Sequence, residues 1–393
     1  MSETTSKILI TCANRNNPYL VRELEAMGFS IERNEKYNVS IQGTFEDTLR
    51  LNMHLRTANR VLYMIRGFKA HKPDVLYDEL VRVPWEKYIY EDGYIHISSS
   101  VKNDFINDTR FANLKVKDAI VDRMVRQTGV RPDSGKDRAR ACLYLFWHND
   151  NCAIYLDTSG ETLAKHGYRK IPHSAPLIEA LASSILSAAN YDGQTTFVNP
   201  MCGSGTLAIE AALLAQNRSP GLNRENFSFM HFKNYRPDEW KKIKKEAEQN
   251  IDQNSKVKII ATDIDPEAIK KAKINASYAG VEKSIEWKVC DFRETPIPEG
   301  GGKIIFNPEY GERLGEIEEL EEQYGQIGDF MKTHCDGYEG YIFTGNLDLA
   351  KKVGLRAKRR IEFYNARIDC RLLEYELYKG TKRTIDPDPA PSS

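Results

Sequence analysis

The chain lacks the features that mark several common classes of protein. Its seven cysteines (Cys12, Cys142, Cys152, Cys202, Cys290, Cys335 and Cys370) are odd in number and contain no Cys-x-x-Cys spacing, which argues against a disulfide framework and a zinc site alike. No metal centre is expected. No apolar run approaches the roughly 18 residues that a membrane-spanning helix requires. The opening segment, Met1-Ser-Glu-Thr-Thr-Ser6, lacks the basic and apolar blocks of a secretion signal. A soluble, cytoplasmic chain with reduced thiols is expected. Net charge is missing too: 56 basic and 56 acidic residues cancel, so any nucleic-acid-binding surface has to be a local patch. Of the eight scattered histidines, the neighbouring His166 and His173 read as loop or surface residues.

What is present is length and rhythm. With 393 residues, 41% of them hydrophobic, the chain exceeds one ordinary domain and can bury two or more cores. Its first part reads as α+β. Strands are expected at 7–12, within 31–42, and at 59–68, 94–101, 142–147 and 152–156. Helices are expected at 18–27, 46–55, 72–90 and 113–125. His148-Asn-Asp-Asn151 reads as a hairpin turn. From residue 176 strands and helices alternate, the pattern of a parallel sheet covered on both faces. Strands are expected at 195–199, 257–262, 284–289, 303–306 and 340–344, interleaved with helices at 176–189, 206–216, 266–278, 316–332 and 346–353. An insertion at 217–254 carries a charged helix at 238–249. Two consecutive strands at 359–364 and 371–378 end the domain as an antiparallel pair, which favours a methyltransferase over a plain dinucleotide-binding fold. The tail Asp386-Pro-Asp-Pro-Ala-Pro-Ser-Ser393 cannot build a core and is expected to be disordered.

Chemistry-bearing residues collect at successive strand ends. Phe197-Val-Asn-Pro-Met-Cys-Gly-Ser-Gly-Thr-Leu-Ala208 runs a strand into a Gly-x-Gly turn and a helix. Glycine lets a ligand approach the backbone, and the helix start offers unpaired N–H groups to an anion. Asn199, Cys202, Gly203, Gly205 and Thr206 are therefore candidate cofactor residues, although the spacing also fits a dinucleotide fingerprint. Ile259-Ile-Ala-Thr-Asp-Ile-Asp-Pro266 ends a second strand in acids. Asp263 is the candidate for the ribose hydroxyls with Ile264 beside it, while Asp265 before Pro266 suits a helix N-cap. Asp263 lies much further from the glycines than the ~20 residues of dinucleotide folds, which weakens a hydride-transfer reading. A third strand ends in Val289-Cys-Asp-Phe292, where Asp291 would accept an adenine amino group and Phe292 would lie beside the ring. Cys202 as a covalent nucleophile lacks an identifiable base and reads better as a small turn residue.

A fourth strand ends in Asn307-Pro-Glu-Tyr310. An exocyclic amino nitrogen is a poor nucleophile because its lone pair is delocalised into the ring. The Asn307 side-chain oxygen and the Pro308 carbonyl would accept its two hydrogens and aim the lone pair at an electrophilic methyl, a job that needs position rather than metal. Tyr310 would stack on the base, which must be unpaired or flipped out. With three ligand signals upstream, an S-adenosylmethionine-dependent methyltransferase acting on a base nitrogen is the expectation.

Together these residues resemble the bacterial THUMP-domain RNA methyltransferases, most closely the 23S rRNA guanine-N2 enzymes. The resemblance spans nearly the whole chain. It includes Asn199-Pro-Met-Cys-Gly-Ser-Gly-Thr206, Asn307-Pro-Glu-Tyr-Gly-Glu-Arg-Leu314, Arg110-Phe-Ala-Asn-Leu-Lys-Val-Lys-Asp-Ala-Ile-Val-Asp122, Gly167-Tyr-Arg169, Ala175-Pro-Leu177 and Ser219-Pro-Gly-Leu222. It implies an α/β protein with a Rossmann-like methyltransferase domain, mostly parallel with an antiparallel last strand, preceded by an α+β ferredoxin-like and THUMP region. The implied boundaries are a ferredoxin-like subdomain at 1–65, a THUMP domain at 66–160, a linker at 161–175, the methyltransferase domain at 176–383 and a tail at 384–393. It implies guanine N2 as the methyl acceptor, 23S rRNA or a large-subunit assembly intermediate as partner, and Lys115, Lys117, Arg123 and Arg126 as phosphate contacts. Two positions depart from the family: Glu309 stands where Pro is usual, and Ile178 where Lys or Arg is frequent. Competing expectations are an adenine-N6 methyltransferase and a catalytically impaired RNA-binding or ribosome-assembly protein.

Overall fold

The structure, a computed structural model, describes residues 4–103, 106, 108–171, 177–310 and 317–378. His173, Ala175, Pro176, Glu312, Arg313, Leu314 and the expected tail lie outside the described residues, as does part of the expected linker.

The amino-terminal part is built from β1 (Ser6–Cys12), α1 (Asn17–Ala26), β2 (Ile31–Glu35), β3 (Asn38–Gly43), α2 (Phe45–His54), β4 (Ala58–Lys69), α3 (Pro73–Val81), β5 (Tyr94–Lys102), α4 (Thr109–Thr128), β6 (Asp133–Ser134), β7 (Ala141–His148) and β8 (Asn151–Asp157). Local chemistry sets the helix ends. Thr44 and Asp47 form a reciprocal capping box at α2. Asp108 caps α4, which ends at a left-handed Gly129. The helical pattern expected over 72–90 stops at Val81, because Pro84 removes a donor and starts a separate short turn that buries Trp85. The stretch 31–42 is a two-strand hairpin. All eight strands form one sheet in the order β2-β3-β1-β4-β8-β7-β5-β6. The expected division between residues 65 and 66 falls inside β4, which pairs with β1 in one unit and β8 in the next.

The carboxy-terminal part contains α5 (Glu179–Ala188), β9 (Thr196–Pro200), α6 (Thr206–Ala215), α7 (Pro237–Gln249), β10 (Ile259–Asp263), α8 (Pro266–Ala279), β11 (Glu286–Val289), β12 (Gly302–Phe306), α9 (Ile317–His334), β13 (Tyr338–Thr344), α10 (Leu347–Lys352), β14 (Arg359–Asn365) and β15 (Ile368–Glu376). Its sheet runs β11-β10-β9-β12-β13-β15-β14. The first five strands are parallel, and β15 is antiparallel to both neighbours. The expected antiparallel closing pair is therefore present. The order reverses beside β9, which is where ligands settle in open α/β sheets.

Two of the features that join the bodies bear on the site. In the insertion, Phe227, Phe229, Phe232, Trp240, Ile243 and Ala247 belong to the amino-terminal core, with α7 lying on α2. The second is a buried polar junction. The Glu210 carboxylate on α6 accepts from His166 Nδ1, Tyr168 Oη and Ser183 Oγ, each at 2.8 Å. His166 Nε2 lies 3.0 Å from the Arg56 carbonyl oxygen, and Arg56 donates to the Arg218 carbonyl at 2.6 Å. Both His166 nitrogens face acceptors, so both carry hydrogens and the ring is cationic. His166 sits in a loop as expected but is 1% exposed, because it closes this junction rather than facing water. Among the described residues, no helix is long and apolar enough to cross a membrane.

Two predictions arise here. Phe229→Ala should destabilise the amino-terminal body by about 3–5 kcal/mol in a denaturant titration, through loss of a buried aromatic, although the residue lies in the other half of the chain. The second concerns pH. Burial disfavours the His166 charge, but Glu210 outweighs it and His166 is raised above 6.5. Burial likewise works against the Glu210 charge, yet His166 and Arg56 leave that carboxyl below 4.5. The His166 contribution is complete below 6.5 and fades as pH rises through its raised value. That of Glu210 is complete above 4.5 and fades as pH falls through its lowered value. The urea midpoint should therefore fall as pH rises from 6.5 through the raised His166 value, and His166→Gln should flatten that slope; equal slopes in both proteins would count against the junction.

Candidate active site at the carboxyl edge of the parallel sheet

Parallel pairing aligns the four strands that end in candidate residues. Asn199 lies opposite Ala261, Asp263 opposite Val289, and Ile304 opposite Val198, so Asn199, Asp263, Asp291 and Asn307 emerge along one edge. The switch point is bridged directly: Asn199 Nδ2 donates to the Ile305 carbonyl at 2.9 Å. The Asn199 Oδ1 is buried with no partner.

The turn after β9 places Met201, Gly203 and Gly205 in the left-handed region, with φ of 55°, 55° and 77°. The two glycines serve different ends. A Cβ on Gly205 would meet Ala272 Cβ at 2.9 Å and the Trp287 ring at 3.0 Å, so this glycine brings α6 close to its neighbours. A Cβ on Gly203 would meet nothing within 4 Å, leaving its face open to a ligand. Cys202 beside it is pushed well up by burial and then by Asp263, and the protonated thiol is no nucleophile.

Asp263 Oδ2 accepts from the Gly203 amide at 2.8 Å and Oδ1 from the Asp265 amide at 3.0 Å, which ties the second strand end to the glycine turn. Ile264 is 70% exposed. Asp265 caps α8 by accepting from the Glu267 amide at 2.9 Å. Asp291 is engaged by its neighbour: Arg293 Nε and Nη2 donate to its two oxygens at 2.8 and 2.9 Å. The Arg293 hydrogen bonds hold the Asp291 carboxyl below its ordinary value. An adenine amino group would share this carboxylate with the arginine. Phe292 is in the core, edge-to-face with Phe306 and Phe330.

At the fourth strand end Pro308 is buried, Asn307 and Tyr310 are half-buried, and Glu309 is exposed. The Tyr310 hydroxyl donates to Asn307 Oδ1 at 3.0 Å, and burial raises its pKa, so it remains a donor. The Tyr310 ring packs edge-on to Phe343.

Sequence reasoning passed over Arg169. Its guanidinium donates to Ser204 Oγ and Thr206 Oγ1, each at 3.0 Å, and to the Leu177 carbonyl at 2.6 Å, and it pairs with Glu179. It clamps the glycine turn on both sides of Gly205. The only signal was Gly167-Tyr-Arg169 itself, whose partners lie far along the chain. The four candidate phosphate contacts lie on α4 of the amino-terminal body, not at the strand-end cluster. Arg123 is held by Glu86 through two hydrogen bonds of 3.1 and 2.6 Å. Lys115 lies 3.7 Å from Asp74 and Lys117 3.1 Å from Asp118, and Arg126 is exposed.

These residues fit S-adenosylmethionine. The orphaned Asn199 Oδ1 and the open face of Gly203 leave polar and backbone contacts available at the switch point. The α6 start would take the methionine carboxylate, Asp263 the ribose, and Ile264 with Asp291 the adenine.

Comparison with known proteins identifies a methyltransferase domain behind ferredoxin-like and THUMP domains. The family model described as "RMKL-like, methyltransferase domain" matches residues 166–374, a model for the RlmL ferredoxin-like domain matches 7–62, and a THUMP domain model matches 70–157. The ribosomal RNA large subunit methyltransferase K/L of Syntrophotalea carbinolica is 36% identical over 98% of this chain and 56% of its own length. The chain thus spans about half the length of the curated K/L relatives it matches. A possible methylase from Clostridium difficile 630 superposes with a TM-score of 0.87 at 30% identity, covering 97% of this chain and 100% of its own. A putative methyltransferase complexed with SAH gives 0.86 at 25% identity, over 98% and 100% of the two chains.

Arg169→Gln should weaken S-adenosylmethionine binding about tenfold or more in calorimetry, given the ~1.5–3 kcal/mol of a charged hydrogen bond. Unchanged affinity would remove Arg169 from the cofactor turn's support.

Proposed function

The chain belongs to the RMKL-like methyltransferase family, and on that premise we propose that it methylates the exocyclic N2 of a guanine in 23S rRNA, free or in a large-subunit assembly intermediate. The observation that carries the reading is the adjacency of the Asn307-Pro308 acceptors to the open glycine turn across paired parallel strands. The ribosomal RNA activity named for relatives over nearly the whole chain, and the THUMP match, support the substrate class.

The cofactor supplies an electrophilic methyl on a sulfonium. Asn307 Oδ1 and the Pro308 carbonyl accept hydrogen bonds from the two amino hydrogens and turn the lone pair toward the methyl in line with the leaving sulfur; as the N–C bond forms the C–S bond breaks, and one of the two protons then leaves the methylated nitrogen for water. Tyr310 stacks on the extruded base, and its hydroxyl occupies one of the two lone pairs of Asn307 Oδ1, leaving the other for the substrate hydrogen. Glu309 restores a backbone N–H that proline would lack, and its exposed side chain leaves both acceptors in place. On α4, Lys115, Lys117 and Arg126 contact RNA phosphates, while Arg123 acts mainly through Glu86 to hold the helix.

Asn307→Ala should lower methyl transfer to unmodified 23S rRNA about a hundredfold or more while S-adenosylmethionine affinity stays within about threefold. Collapse of cofactor binding would overturn the role given to Asn307, and cofactor binding without transfer by the unaltered protein would leave an impaired RNA-binding protein. Preferential methylation of adenine in duplex DNA would replace guanine N2 with the adenine-N6 reading.

A further inference from the structure

Catalysis by position needs the Asn307 oxygen and the Pro308 carbonyl held to a fraction of an ångström. Residue 307 is anchored by leaving β12. Pro308 has a ring-fixed φ. Glu309, with no ring, has free backbone torsions, so something else has to hold the far side of this segment.

Two carbonyls are held there by one turn and one helix. Tyr324 of α9, fully buried, donates its hydroxyl to the Glu309 carbonyl at 3.2 Å and lies 2.8 Å from Thr344 Oγ1. Thr344 Oγ1 accepts from the Asn346 amide at 3.0 Å. Each hydroxyl has one hydrogen; with Tyr324 donating to Glu309, the Thr344 hydrogen goes to Tyr324 at 2.8 Å rather than to the Asn346 carbonyl at 3.4 Å, the longer and weaker alternative, and the chain runs from the Asn346 N–H to Thr344, from Thr344 to Tyr324 and from Tyr324 to the Glu309 carbonyl. Burial raises the Tyr324 pKa, which keeps the donor protonated. Asn346 adds the second hold. Its Oδ1 accepts from the Asp348 and Leu349 amides at 3.1 and 3.2 Å, which leaves Nδ2 to donate to the Tyr310 carbonyl at 3.2 Å. Between them, Gly345 seats the aromatic ring: a Cβ there would lie 3.1 Å from Tyr310 Cδ2 and 2.7 Å from Ile368 Cγ2.

We infer that Tyr324 and the Thr344-Gly345-Asn346 turn are positioning residues that fix the peptide planes of Glu309 and Tyr310, and through them the two acceptors of the reacting nitrogen. Their hydrogen bonds to this segment go to its backbone carbonyls. The inference rests on the methyl-transfer reading only for what the frame serves.

The test is Tyr324→Phe, which removes one oxygen and keeps the ring in the core, together with Thr344→Val and the conservative Thr344→Ser. In the first two, kcat should fall about ten- to a hundredfold. S-adenosylmethionine affinity, the KM for RNA and the unfolding midpoint should stay near those of the unaltered protein. Hydrogen exchange in the peptide spanning 305–310 should quicken, and Thr344→Ser should recover both kcat and exchange. Unchanged exchange and kcat in Tyr324→Phe would overturn the inference, as would a loss of kcat matched by equal losses of cofactor affinity and stability. If the unaltered protein transfers no methyl group, the functional reading falls, and the exchange comparison still decides whether the frame exists.

Discussion

Parallel pairing requires the chain to re-enter each strand from the same side of the sheet, so every helix-linked strand delivers its last residues to the same edge. β11, β10, β9 and β12 obey this, and the candidate site depends on it. Four segments separated by long stretches of sequence would otherwise have no reason to meet. The reversal of strand order beside β9 opens a crevice at that edge, and Asn199 spans it to Ile305. The position where a ligand can sit is therefore a property of the sheet before it is a property of any side chain.

The same sheet fixes what the two ends of α6 do. Its start carries the glycine turn, clamped by Arg169. Further along the helix Glu210 meets His166, Tyr168 and Ser183, with Arg56 of the amino-terminal body joined through the His166 ring. A buried ion pair of this kind is weak support for stability by itself, because desolvation offsets much of the attraction. It does specify one arrangement of the two bodies, since a displaced partner would leave a charge buried without a counter-charge. The insertion after α6 adds aromatic residues to the amino-terminal core. The bodies are thus joined by side chains contributed in both directions, and the THUMP region stands in a defined relation to the glycine turn.

Much of the site was legible because its signals are local. A strand running into Gly203-Ser-Gly205, a strand ending in Asp263, and Asn307-Pro-Glu-Tyr310 each announce themselves within a few residues, and the alternation of elements says they share an edge. Asp265 as a helix cap was legible for the same reason. Other roles depended on partners distant in sequence. Arg169 meets Ser204 and Thr206, His166 meets Glu210, and Tyr324 meets Glu309, none of which any spacing rule could pair. Phe292 read as a ring beside adenine because Val289-Cys-Asp-Phe292 stands at a strand end, whereas packing turns it toward Phe306 and Phe330. The helix expected over 72–90 was read through a proline that ends it.

By itself the sequence determined the methyltransferase class and most of the order of strands and helices, and it singled out the residues proposed as acceptors, because hydrophobic period, glycine conformation and strand-end polarity act over a few residues. Only the tertiary structure decided which glycine packs and which has an open face, that the insertion adds to the other body's core, that Arg123 is tied to Glu86, and that Glu309 is held without a ring of its own. Each of those depends on atoms brought within about 4 Å by burial of surfaces far apart in the chain. No local pattern records which of many apolar faces will meet.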